Sequence, residues 1–571
     1  MTQARQVAWV SWAVMAAIAS WLLASLFWVN IDGDDGYTTI ANAQYFLDIS
    51  PDYFWQRGPL VAWLLMPTEW LANRLHLAPM DVRPHHAMMV LLHLGYLIGV
   101  WSLLRQQFGR TWPVLLAYLA AIPTVVFFSY APFVSHDLFP GLLLLLMLFS
   151  ADVFHRRPSV ILWISLVLLG ALAALVKQTY ALIWVSLLLA NALLVLLEPR
   201  ERRHWKWLAA LAAGAASSGI ITWLIYSIVL GAGFPDVPML LRPWHQTQEF
   251  VHWFQREGSI GEIIYQWVYL RNLSAYGVCA MALVIPGLVL SWRNGNRLQR
   301  CTVLVWLLLA IAMQQLHFKE VRYLSYLAPL TAVLLVPVMT ALWRWRALYR
   351  VLIMALLLVD LSAASTEAAR IANPFYRSQV SDFLRALPPA SQFTGKIVMT
   401  ERLSFVSPER TAFFGDRYHR ITNIIDDQIR LLYGYRADQV IRFRDREALA
   451  AEQFEPGDVL IFVNDVAARV PPIAADNRTT LQDHFAQLLG TAERIRLLRE
   501  GDRYRVSGAS AQPLMLLRAN GSDAQPIVFT EFVEPSQLRD LALDDGHSQS
   551  LELIAFRIHA YCNITGCQTF P

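Results

Sequence analysis

Cysteine is scarce, with 4 in 571 residues. No paired CxxC and no HxxxH occurs, so nothing carries the ligand spacing of a structural zinc site. The halves of the apolar region show no internal symmetry and no paired Gly/Pro-broken spans, the signature that many secondary transporters carry. Charge is thin as well: 16% of residues are Asp, Glu, Lys or Arg, against 56% hydrophobic ones. With a mean hydropathy of +0.39 and 21 Trp, a soluble chain of this length would expose far too much apolar surface.

What is present is a series of apolar runs, many of roughly 17–25 residues, the length that crosses a bilayer core. They fall at 7–29, 86–104, 112–130, 138–154, 160–176, 179–197, 207–230, 274–292, 302–316, 323–342 and 349–364, which makes eleven spans. The first is too long for a signal-peptide core and has no convincing cleavage site, so it reads as a retained span. Short loops rich in Lys and Arg mark the cytoplasmic side. Arg105 and Arg110, Arg156 and Arg157, Arg200 to Lys206, Arg293 to Arg300 and Arg344 to Arg350 occupy every second connection. That alternation predicts a cytoplasmic N-terminus and puts the acidic loop 30–85 and everything after residue 364 outside. In a bacterial host this means an inner-membrane protein whose C-terminal part lies in the periplasm.

Near residue 365 hydropathy falls and short β-branched runs begin, at 396–400, 458–463, 494–500 and 503–508. Helical patterns lie between them, so residues 365–571 read as a soluble α/β or α+β domain behind a helical membrane domain of residues 1–364. No repeat and no phosphate-binding glycine loop occurs in this part, which reads as a lid or an acceptor-docking module. Cys562 and Cys567 fall on the predicted exterior, where a structural disulfide persists.

Ionisable groups near membrane depth are costly and mark pathways or sites. At the predicted outer ends stand Asp32, Asp34 and Asp35, then Arg57, then His136 with Asp137, then Lys177, then His317, Lys319, Glu320 and Arg322. If the spans bundle, carboxylates and cations converge on one cavity. Cations beside a phosphate steady a departing negative charge, and a carboxylate within reach of an alcohol acts as general base. With no ATP outside the cell, an activated sugar must arrive on a lipid. The pattern therefore points to glycosyl transfer from a polyprenyl phosphate, with no nucleic-acid partner. A transporter or flippase that binds the same cargo without chemistry is the alternative.

Five segments in order, DDGYTTIANAQYF, RGPLVAWLL, SHDLFPGLLLLLMLF, GALAALVKQTY and VRYLSYLAPL, resemble the GT-C superfamily of membrane glycosyltransferases. The likeness is to the protein O-mannosyltransferase and aminoarabinose-transferase group, over about residues 1–340. The DDGY spelling is similar to arabinofuranosyltransferases. The resemblance implies a GT-C-like fold and a polyprenyl-phosphate sugar donor. It also implies an acceptor hydroxyl on a lipid, glycan or protein, reached in one inverting displacement. One of Asp34 and Asp35 would be the base and the other its neighbour, while Arg57, Lys177, Lys319 and Arg322 would bind the donor phosphate. Asp137 either caps its helix or holds the acceptor or a cation. Gly58 departs from the usual proline pair, and Arg57 stands where lysine is common. His136 beside Asp137 raises a divalent cation as a candidate cofactor, with Asp35, His136 and Asp137 as ligands.

Overall fold

The computed structural model describes residues 2–29, 34–49, 53, 58–75, 82–177, 182–197, 202–230, 276–315, 321–371 and 395, and nine strands between 397 and 569. The membrane part is α-helical. Helices α1 (Gln3–Trp28), α4 (Arg83–Phe108), α7 (Phe139–Arg156), α10 (Arg202–Leu230), α12 (Arg297–Gln315) and α14 (Ala347–Ile371) are the long apolar ones. Among the described residues these six are long and apolar enough to cross a membrane by length and composition. Shorter apolar helices are α5 (Trp112–Ala121), α8 (Val160–Val176), α9 (Leu182–Leu197), α11 (Val278–Asn294) and α13 (Ala328–Arg344). In order, these eleven apolar helices fall on the eleven apolar runs of the sequence. The chain is a polytopic membrane protein.

Three spans differ from the expectation. The run 323–342 opens as a 3-10 turn, Val321–Tyr326, and becomes α13 only at Ala328. The run 112–130 is not one helix. It breaks between α5 and α6 (Val125–Tyr130), because Pro123 offers no N–H and its ring obstructs the preceding turn. The last span continues beyond residue 364, to Ile371. Two further helices stand apart from the spans: α2 (Asp34–Tyr45) and α3 (Pro59–Arg74).

Two packed cores hold the bundle. In one, α2 and α3 meet α7 to α10 and α12 around Tyr37, Leu65, Leu144, Leu187 and Val305. In the other, α1, α4, α5, α13 and α14 close around Leu22, Tyr96, Tyr118, Val333 and Ile353. Large side chains such as Ile161, Ile228, Leu348 and Val351 remain exposed on the rims of α8, α10 and α14, as helices that face lipid require. Close approach between spans uses a small residue. Gly287 of α11 lies so near α13 that an added Cβ would sit 2.6 Å from the Leu334 carbonyl oxygen.

In the C-terminal part the strands are β1 (Ile397–Thr400), β2 (Val440–Phe443), β3 (Val459–Asp465), β4 (Arg496–Glu500), β5 (Arg503–Ser507), β6 (Ile527–Val533), β7 (Gln549–Arg557), β8 (Ala560–Asn563) and β9 (Gly566–Thr569). Five form a mixed sheet in the order β2-β1-β3-β7-β6. β1 runs parallel to β2 and β3, and β7 runs antiparallel to β3 and β6. The pairs β4–β5 and β8–β9 are hairpins, and Cys562 is the register partner of Cys567.

Candidate active site

The acidic stretch opens α2. Asp34 and Asp35 occupy its first turn; their side chains, like all of Asp32, lie outside the described residues. From that start a connected set of contacts runs across four segments. Thr39, a turn along α2, meets the His136 ring, with 2.6 Å between Oγ1 and Nε2. Both residues are buried. Next to His136, the Asp137 carboxylate accepts a hydrogen bond from the Tyr326 hydroxyl at 2.8 Å. Ser325 donates to the Asp137 carbonyl at 2.7 Å, and the Asp137 N–H donates to Ser135 Oγ at 3.3 Å. Tyr326 stacks on Tyr323, with ring centroids 6.0 Å apart. Tyr323 in turn receives Lys177, whose Nζ lies 3.4 Å from the phenol oxygen and 4.9 Å from the ring centroid.

Local sequence explains each placement. Lys177 is the C-cap of α8, so its ammonium sits where α8 ends. The 3-10 turn delivers Tyr323, Ser325 and Tyr326 from one short segment. It can lie against the start of α7 because Gly141 has no side chain: a Cβ there would sit 3.0 Å from the Pro329 ring and 3.2 Å from the Ser325 carbonyl oxygen. Asp137 is not the cap of α7. That helix takes Leu138 as N-cap with no side-chain cap bond, and the carboxylate is used across the bundle on Tyr326 instead.

Arg57 and Lys319 lie outside the described residues, and Arg322 is described by its backbone in the 3-10 turn alone. The backbone nonetheless places the neighbour of Arg57. The Gly58 N–H donates to the Val176 carbonyl at 3.1 Å, directly before Lys177. The structure thus brings together Lys177, Asp137, His136 and Thr39 of α2, and brings the chain at Gly58 beside Lys177. Among the described residues no group of three or more His, Cys, Asp and Glu could hold a metal ion. The set Asp35, His136 and Asp137 includes a side chain outside that range. At His136, a cation on Nε2 would have to displace the Thr39 hydroxyl.

Several site residues were not singled out from the sequence. Glu69 of α3 is buried and pairs with His85 of α4 at 2.9 Å. It also accepts from Gln44 of α2 at 3.1 Å, and Thr68 Oγ1 lies 2.9 Å from His85 Nδ1. This cluster anchors the far end of α2 on α3 and α4. A carboxylate inside the apolar run LVAWLLMPTEWLANR was its one signal in the sequence. Thr39 and Ser325 gave none, since small hydroxyl residues are common everywhere. Behind the same end of α2, Tyr45, Phe46, Tyr53 and Trp63 pack ring against ring at 5.5 to 5.7 Å.

This architecture has two short helices between the first apolar helices and a C-terminal part with strands, and its fold is shared with solved membrane-enzyme structures. Among solved structures the chain is similar to ArnT from Cupriavidus metallidurans. The apo form matches with a TM-score of 0.50 at 14% identity, over 80% of this chain and 93% of that one. The form bound to undecaprenyl phosphate matches with a TM-score of 0.50 at 13% identity, over 89% and 99%. An Archaeoglobus fulgidus oligosaccharyltransferase in complex with Zn and sulfate aligns at 11% identity and a TM-score of 0.49, over 79% of this chain and 67% of that one. No protein-family model and no curated protein sequence matches the chain.

Proposed function

We propose that this protein is a membrane glycosyltransferase that moves a sugar from a polyprenyl-phosphate donor to an acceptor hydroxyl. The observation that carries the reading is the unbroken run of contacts from α2, through His136, Asp137, Tyr326 and Tyr323, to Lys177. It links Lys177 to Thr39, a turn or more along the helix that opens with Asp34 and Asp35. The shared fold with ArnT, one form of which holds undecaprenyl phosphate, supports the same donor class.

In this reading the donor phosphate meets Lys177, with Arg57, Lys319 and Arg322 as further cations. The acceptor oxygen attacks the anomeric carbon from the face opposite the phosphate, and the bond from that carbon to the phosphate oxygen breaks. The acceptor proton passes to Asp34 or Asp35, and polyprenyl phosphate leaves with its charge neutralised by the cations. One displacement inverts the anomeric centre. Asp137, held by Tyr326, is set to orient the acceptor. The protein would lie in a bacterial inner membrane with its N-terminus in the cytoplasm and its C-terminal sheet in the periplasm, where that sheet would present the acceptor.

The test begins with native mass spectrometry of protein purified in mild detergent, followed by turnover with the lipid it retains. The expected result is a prenyl-phosphate sugar that the wild type holds and a Lys177→Met, Arg322→Met double variant loses. Asp34→Asn and Asp35→Asn should keep the lipid, and at least one should lose transfer. A bound lipid indifferent to those cations, or transport without any new glycosidic bond, would overturn the reading.

A further inference from the structure

The Thr39–His136 contact joins α2 to the segment that carries Asp137. Both partners are buried, at 0% and 2% exposure, and 2.6 Å is short even for a hydrogen bond involving a hydroxyl. Its value lies in where the two residues sit. Thr39 is four residues after Asp35, and such residues share a face of a helix, so the bond holds the stripe of α2 that begins with Asp35. His136 adjoins Asp137, whose carboxylate and carbonyl are both fixed from the 3-10 turn. That turn also carries the phenol that meets Lys177. A single imidazole therefore joins the helix bearing the acidic pair to the framework bearing the lysine.

We propose that His136 is a positioning residue: through Thr39 it sets the first turn of α2 at the working distance from the framework that carries Asp137 and Lys177. The inference rests on the glycosyl-transfer reading and adds a role to it. A group that acts by fixing the base relative to the reacting carbon changes the rate of the displacement and leaves donor affinity alone. Misplacement of catalytic groups by about 1 Å costs about 100-fold in rate.

The test compares Thr39→Val, which keeps the shape and removes the hydroxyl, with Thr39→Ser, which keeps the hydroxyl. His136→Ala is set beside His136→Gln, whose amide reaches about as far as Nε2. Thr39→Val and His136→Ala should each lose about 10- to 100-fold in kcat, with KM for the prenyl-phosphate sugar within about twofold of wild type. Thr39→Ser and His136→Gln should restore most of the rate. The double variant should be no worse than the poorer single one, since both remove one interaction. Amide hydrogen exchange across residues 34–45, measured in nanodiscs, should rise in Thr39→Val and His136→Ala and not in Thr39→Ser. That readout decides the role of the bond whether or not a transferable sugar is in hand.

Wild-type kcat and unchanged exchange in Thr39→Val would overturn the proposal. So would recovery of His136→Ala by added manganese or magnesium, which would make the imidazole a metal ligand. If Asp34→Asn or Asp35→Asn abolishes transfer while Thr39→Val is fully active, this inference fails alone. If neither aspartate variant affects transfer, the base assignment is at fault instead.

Discussion

Gly58 donates its backbone N–H to the carbonyl of Val176 at 3.1 Å, and a Cβ at Gly58 would collide with the carbonyl oxygen of Leu175. The position demands a residue with an N–H and no side chain. That is a physical reason for glycine here, and proline would not serve, since it lacks the donor. The contact seats the residue after Arg57 against the residue before Lys177. Gly58→Ala should cost about 1–3 kcal/mol through overpacking. Gly58→Pro should cost more, since it also leaves the Val176 carbonyl unpaired. The thermal midpoint in detergent measures both, and each variant should also retain less prenyl lipid.

Lys177 and Tyr323 can be separated by the atoms they contribute. Tyr323→Phe removes the phenol oxygen and keeps the ring beneath the ammonium. It should raise KM for the donor only about threefold, in line with the loss of one net hydrogen bond. Lys177→Met removes the charge and should raise KM by tenfold or more, since charge-assisted bonds are about twice as strong. Steady-state kinetics with a prenyl-phosphate sugar would distinguish them, and equal effects would place the phosphate elsewhere.

The buried Glu69–His85 pair predicts a large single-variant effect and a small double one. Removing one member of a buried hydrogen-bonded pair costs about 1–3 kcal/mol, because the other is left unsatisfied. Glu69→Leu should therefore lower the thermal midpoint strongly. Glu69→Leu combined with His85→Phe should recover much of it. A double variant as poor as the single one would assign the cost to Gln44 and Asn73, which also lose their acceptor.

Asp360 of α14 supplies the cap of a different helix. Its carboxylate accepts from the Val278 N–H at 2.5 Å and from the Cys279 N–H at 3.0 Å, at the start of α11. Gly277, with φ of 97°, turns the chain into that position. Asp360→Ala should destabilise by about 0.5–2 kcal/mol, the usual cost of a lost N-cap. Hydrogen exchange at the first turn of α11 should rise before exchange elsewhere does.

Cys562 and Cys567 are register partners in the β8–β9 hairpin. Paired antiparallel residues have Cα atoms about 4.5 or 5.5 Å apart, and both distances fall in the range a disulfide spans. In whole cells the two thiols should resist a maleimide-polymer tag until a reductant is added. Tagging without reductant would argue against an oxidising compartment for this part of the chain. Catalysis should be untouched by Cys562→Ser either way.

The sequence by itself determined the membrane class, the order of the eleven apolar helices and the alternation of basic segments between them. Length, apolar composition and charge are summed along the chain, and a bilayer reads them without reference to partners. The break at Pro123 was also legible in principle, as proline acts on its own turn. Lys177 and Asp137 could be singled out because a charge beside an apolar run is costly wherever the chain goes. The tertiary structure decided which of these groups meet. Asp137 binds Tyr326 rather than capping α7, Gly58 lies against Val176, and Glu69, His85 and Gln44 form one cluster. Each of those contacts joins separate elements, so its energy depends on distances between helices that no local pattern encodes. Hydroxyl and glycine positions such as Thr39, Ser325 and Gly141 acquire meaning once the helices have packed.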